Sequence, residues 1–266
     1  ADGVHLGVRA PVLSPSSKAL EGTSGKRRET DVTQNQDWRL LYKIGAIAAL
    51  VAAVLFRRNI GAELSLFMGS APQSVAEWYA LLQTSPIIGL AYLAVFDLVN
   101  YFLVGVLFLA LTVAFWQRNK SLALVALSSG LVGIAVSFAS NISLTMLSLS
   151  QRYATATSEA QSAGLVAVGQ AVLATNDPAA AFPGTGAYVS LLLIAIAGLL
   201  YSLILLRSNR ATAIVGLLAS GCDLAYCLTF PLRPAVPVYL FLAIAGLFWM
   251  IWHLLVARIL FKTPNS

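Results

Sequence analysis

"LLLIAIAGLLYSLILL", Leu191 to Leu206, decides the fold class. A strand facing water on one side would alternate apolar and polar residues, and a soluble helix would carry a polar face. This stretch does neither. It is apolar on every side, as a helix surrounded by lipid must be, because only a helix satisfies all its backbone hydrogen bonds within one segment. "AIAALVAAVLF", residues 46–56, reads the same way. Neither has the period-two pattern of a membrane β-barrel strand.

Six such spans follow one another, at roughly 40–56, 87–116, 122–149, 187–206, 211–230 and 237–260. Each is close to or above the 17 to 25 residues, about 30 Å of helix, that cross a bilayer core. Composition agrees. The 266 residues are 58% hydrophobic and 11% charged, with a mean hydropathy of +0.79, whereas a soluble domain is about 25% charged. The expectation is an all-α, polytopic membrane protein with six transmembrane helices, its direct partner the lipid bilayer.

The net charge of +6 invites a nucleic-acid reading, but several of the 17 basic residues sit at the ends of apolar runs, where topology places them. "QRNKS" at 117–121, "RSNR" at 207–210, Arg258 with Lys262, and Arg39 with Lys43 put eight basic residues on one side, against Arg57, Arg58, Arg152 and Arg233 on the other. That bias puts both termini in the cytoplasm and excludes nucleic acid as the partner. Residues 1–37 are polar, carry "GKRRET" at 25–30 and lack the apolar core of a signal peptide; they read as a flexible cytoplasmic tail ahead of a membrane domain at 38–266.

Two external loops contain helices of their own. In "SVAEWYALLQ" Ser74 and Glu77, and in "SEAQSAGLVAVGQAVLA" Ser158 and Gln161, stand in the capping-box relation. Both segments read as interfacial helices, either connectors packed over the bundle or a lid.

The chemistry lies in the polar residues inside the spans. Asp223, in "ASGCDLAYCLTF" (219–230), interrupts the fifth span. The apolar residues of that span favour insertion by about 2 to 4 kcal/mol, and one central Asp opposes it by about 2.5 to 3.5 kcal/mol, so the helix needs neighbours and Asp223 must face them. Asp97 repeats the problem in the second span, with Asn100 and Tyr101 on the same helical face. The third span carries Ser129, Gly133, Ser137, Asn141, Thr145 and Ser148 at spacings of three or four, followed by Arg152. Asp97, Asn100, Asn141 and Asp223 are therefore expected to line a polar pocket in the outer leaflet, with Arg152 as counter-charge. It would take a small molecule or cation, unless these groups merely bond one another, as polar residues between membrane helices often do. The Asp-Leu pairs at 97 and 223 also admit an inverted repeat, which would put the two carboxylates at mirrored depths instead.

No enzyme signature is present: no GxSxG, no HExxH and no phosphate-cradling glycine loop. His5 and His253 stand at opposite ends of the chain, and Cys222 and Cys227 lie on different faces of one helix, so the sequence offers no metal cage, disulfide or cofactor.

The stretches 78–111, "SSGLVGIAVSFASNISLTMLSLSQRYATATSEAQ" (128–161) and "GLVAVGQAVLAT" (164–175) resemble a bacterial membrane family known as domain of unknown function 4386. The resemblance runs from Trp38 to Leu260 and implies a six-helix protein of the bacterial inner membrane. It brings no activity and no catalytic residues. Two functions follow as expectations: binding or translocation of a small ligand or cation, or service as a structural or accessory subunit of a larger membrane complex or homo-oligomer.

Overall fold

The computed structural model describes residues 38–55, 72–178, 182–229 and 236–263. The expected tail at 1–37 and three of the four basic residues assigned to the other side, Arg57, Arg58 and Arg233, lie outside them. Among the described residues the chain is helical and contains no strand. Six spans are long and apolar enough to cross a membrane: Trp38–Leu55, Val95–Phe115, Lys120–Ala154, Thr185–Leu205, Arg210–Thr229 and Leu240–Lys262.

In chain order the helices are α1 (Trp38–Leu55), α2 (Val75–Thr84), α3 (Pro86–Tyr92), α4 (Val95–Phe115), α5 (Lys120–Ser140), α6 (Ser143–Ala154), α7 (Glu159–Leu173), α8 (Thr185–Leu205), α9 (Arg210–Thr229) and α10 (Val236–Lys262). Contacts group Leu41–Ser266 into one unit. Within it α4 packs on α5, α5 on α8, α8 on α9 and α9 on α10. A Cβ added to Gly45 would strike Ala110 of α4 and approach Leu260 of α10 to 3.4 Å, so α1 joins those two helices.

Two expected spans are broken. The second bends at Leu93–Ala94, where Ala94 adopts the left-handed conformation at φ 60°; helix α3 ends there and α4 begins. The third opens at Asn141–Ile142, dividing α5 from α6. The proposed polar stripe is therefore not one continuous helical face, because the register of Thr145 and Ser148 is reset at the break.

The turns α4–α5 and α8–α9 share one construction. Amides of Arg118 and Asn119 return to the Phe115 carbonyl, and those of Ser208 and Asn209 to the Leu205 carbonyl. Each asparagine then caps the following helix: Asn119 Oδ1 accepts from the Leu122 amide at 3.0 Å and Asn209 Oδ1 from the Thr212 amide at 3.1 Å. These turns and the end of α10 define the short-turn end of the bundle.

The opposite end carries a second core, in which Val75, Trp78, Tyr79, Leu82, Leu93, Ile142, Met146, Leu149, Leu165 and Leu173 join α2, α6 and α7 with the two break points. Both expected capping boxes form. Ser74 Oγ accepts from the Glu77 amide and Ser158 Oγ from the Gln161 amide. The reciprocal bonds come from the residue before each cap, Gln73 to Glu77 at 2.6 Å and Thr157 to Gln161 at 3.1 Å. Tyr79 Oη donates to the Leu165 carbonyl at 2.8 Å and Gln83 Nε2 to the Ser150 carbonyl at 2.9 Å. Helices α2 and α7 are thus parts of a packed helical cap.

Candidate functional site

Asp223 lies in α9 and is 4% exposed. Its Oδ2 accepts a 2.6 Å hydrogen bond from Trp249 Nε1 of α10. Glycine makes this possible. Gly198 of α8 lies so close to the Trp249 ring that any side chain there would collide with it, and Gly216 of α9 stands in the same relation to Ser202 Oγ and the Trp252 indole. The small residues open α8 and α9 far enough for α10 to insert two indoles. Those indoles meet edge to face with centroids 5.2 Å apart, and the His253 ring packs 5.2 Å from Trp252 and 6.0 Å from Trp249. His253 Nδ1 is 2.7 Å from the Trp249 carbonyl oxygen.

The expected counter-charge is corrected. Arg152 is exposed at the end of α6, and every lysine and arginine among the described residues is exposed. Among the described residues no lysine or arginine reaches the Asp223 carboxylate, and the hydrogen bond it accepts comes from a neutral ring.

Asp97, Asn100 and Asn141 belong to a different place, the paired helix breaks. The Ala94 carbonyl accepts from the Asp97 amide at 3.2 Å and from Asn141 Nδ2 at 3.1 Å. Asn141 Oδ1 accepts from the Ser143 amide at 3.0 Å and from Ser143 Oγ at 2.5 Å, which starts α6. Asn176 Nδ2 reaches the Ser140 carbonyl at 2.8 Å, satisfying a group released at the end of α5. Asp97 stands half-buried in the first turn of α4, where a carboxylate complements the helix dipole. Asn100, one turn further, is 2% exposed with Oδ1 unpartnered among the described residues. The five expected residues therefore divide: Asp97 and Asn141 meet at the breaks, Asn100 follows one turn along α4, Asp223 is engaged by α10, and Arg152 faces outward.

Sequence reasoning missed Trp249 and Trp252 as partners. The available signal was the pair of glycines in α8 and α9, which mark where large side chains of a neighbouring helix enter.

Comparisons with protein-family models, curated proteins and solved structures find no match. The functional reading accordingly rests on the geometry of the site. Among the described residues no group of three or more His, Cys, Asp and Glu side chains is gathered as a metal site would require.

Proposed function

We propose that this chain binds or translocates a small cation or cationic ligand within the membrane, with Asp223 as the binding group. One observation carries the reading: a carboxylate buried among apolar helices accepts from an indole while every described lysine and arginine is exposed. An uncompensated charge in that setting is expensive, and acquiring a cation or a proton removes the expense. The basic bias of the short-turn end supports a cytoplasmic position for that end, in a bacterial inner membrane if the resemblance to the 4386 family holds. The site then lies nearer the outer face, since Asp223 is six residues, about 9 Å of helix, from the far end of α9.

The experiment is thermal unfolding of the full chain in lipid nanodiscs across pH and across a series of alkali and organic cations. The wild type is expected to gain stability with one of these variables, and Asp223→Asn to lose that dependence while melting near the wild-type temperature. An Asp223→Asn protein with the dependence intact, or a wild type without any, overturns the reading. The second outcome favours an accessory-subunit role, for which the direct packing of Gly198 and Gly216 on α10 speaks.

A further inference from the structure

Most polar groups in the rest of the bundle are paired. Tyr201 Oη lies 2.7 Å from Thr112 Oγ1 and donates to the Phe108 carbonyl at 3.0 Å, tying α8 to α4, and Ser129 Oγ donates to the Leu193 carbonyl at 2.9 Å, tying α5 to α8. The seam between α8, α9 and α10 departs from this. Thr212 Oγ1, Ser202 Oγ, Trp252 Nε1 and Ser220 Oγ have no partner among the described residues, and their residues are at most 1% exposed.

These atoms form a series. On α9, positions 212, 216, 220 and 223 follow at intervals of three or four and share one face. At the level of Gly216, Ser202 and Trp252 supply the polar atoms; at the level of Ser220, Gly198 admits the Ser220 hydroxyl and the Trp249 ring together. Asp223 and Trp249 complete the series. Successive levels are three or four residues apart, about 4.5 to 6 Å of helix, a separation that one water spans with two hydrogen bonds of about 2.8 Å.

We infer that the α8–α9–α10 seam is a hydrated proton path that connects Asp223 with the short-turn end of the bundle. The inference rests on the reading of Asp223 as a cation-binding group and names the cation. The donor set decides against a metal ion. A hard metal ion takes six or more oxygen ligands, whereas here a single carboxylate is joined by hydroxyls and by indole N–H groups that present hydrogen to the site. Hydroxyls both donate and accept, as proton transfer requires. Each transfer breaks one O–H bond as the next forms, from hydronium at the Thr212 end through bridging waters and the Ser202 and Ser220 hydroxyls. The proton ends on Asp223 Oδ1, because Oδ2 is held by Trp249, and leaves a neutral carboxylic acid.

The titratable groups around Asp223 are Cys222, Tyr226 and Cys227 on its own helix and His253 on α10. On α8 they are Tyr188, whose hydroxyl donates to the Cys227 carbonyl at 2.7 Å, and Tyr201, which is engaged with α4. Among the described residues no Lys or Arg is buried.

The test is time-resolved infrared spectroscopy of the full chain in nanodiscs after a downward pH jump, following the carboxylic-acid carbonyl band that Asp223→Asn removes. Thr212→Val and Ser202→Ala should slow the appearance of this band roughly tenfold, a barrier change of about one hydrogen bond, without moving its equilibrium midpoint. Thr212→Ser should restore the rate. Ser190→Ala, which removes a buried hydroxyl nearer the opposite end of α8, should leave it unchanged. Equal rates in all variants, or slowing by Ser190→Ala alone, would overturn the path while leaving Asp223 as a cation site. A band that never titrates, beside a metal-cation dependence of melting that Asp223→Asn abolishes, would overturn the proton as the ligand and leave the binding reading intact.

Discussion

Among the described residues Asp223 is held by one donor, Trp249, and this makes its substitutions informative. Asp223→Leu removes the acceptor of the buried Trp249 N–H and should cost about 1 to 3 kcal/mol; Asp223→Asn keeps an acceptor and should cost much less. Denaturant titration of the two proteins checks the ordering. Ala94 offers a second residue-scale prediction. At φ 60° it pays the steric cost of the left-handed region, about 1 to 2 kcal/mol for a residue with a Cβ. Ala94→Gly should therefore stabilise the protein by roughly 1 kcal/mol, less the entropy of a more flexible unfolded chain, as a rise in melting temperature. What was legible at this scale was burial: the insertion cost of a carboxylate in the fifth span requires Asp223 to face other helices, and it is 4% exposed. The neighbour was not legible, because a sequence period fixes a face of a helix and says nothing about which helix meets that face.

The two broken spans behave as joints between the bundle and the cap, and Asn141 holds both. Asn141→Leu removes the bond to Ala94 and the cap of α6 together and should destabilise the protein by about 2 to 4 kcal/mol, with faster amide hydrogen exchange in α6 than in α8. In the cap, burial pushes the Tyr79 phenol above the ordinary tyrosine value, and Tyr153, 5.2 Å away between centroids, adds to the shift. The sign follows. A phenol that ionises later in the folded state contributes stability below about pH 10, the unfolded value, and loses it as pH rises through the folded value. The cap should loosen in strong alkali, and Tyr79→Phe should remove that alkaline step at a cost of about 1 kcal/mol from the lost bond to Leu165, measured by fluorescence against pH. The Ser-x-x-Glu and Ser-x-x-Gln signals made α2 and α7 visible beforehand. The breaks were hidden because Ala94 carries no glycine or proline signal and Asn141, at helical spacing from Ser137, reads as one more polar position of a continuous helix.

For the whole molecule, continuous apolar runs leave no alternative to membrane helices, so the number and order of spans could be read directly. The proposed orientation rests on charge. Lys43, Arg118, Lys120, Arg207, Arg210, Arg258 and Lys262 belong to α1 and α10 and to the short turns, while Glu77 and Glu159 belong to the cap. With Cys222 and Cys227 replaced by Ala, single cysteines at Gln117 and Ser208 should react only from the cytoplasmic side and those at Glu159 and Ser162 only from outside. The reverse pattern would invert the topology.

The contact on which the cation site depends is that of the Trp249 indole with the Asp223 carboxylate. The direct measurement is a nitrogen-15 correlation spectrum of the tryptophan-labelled chain, which has five indole N–H groups. The account predicts one indole proton displaced far downfield by a short charge-assisted bond and returned toward the others by Asp223→Leu. Five indole signals that do not move on that substitution would contradict it.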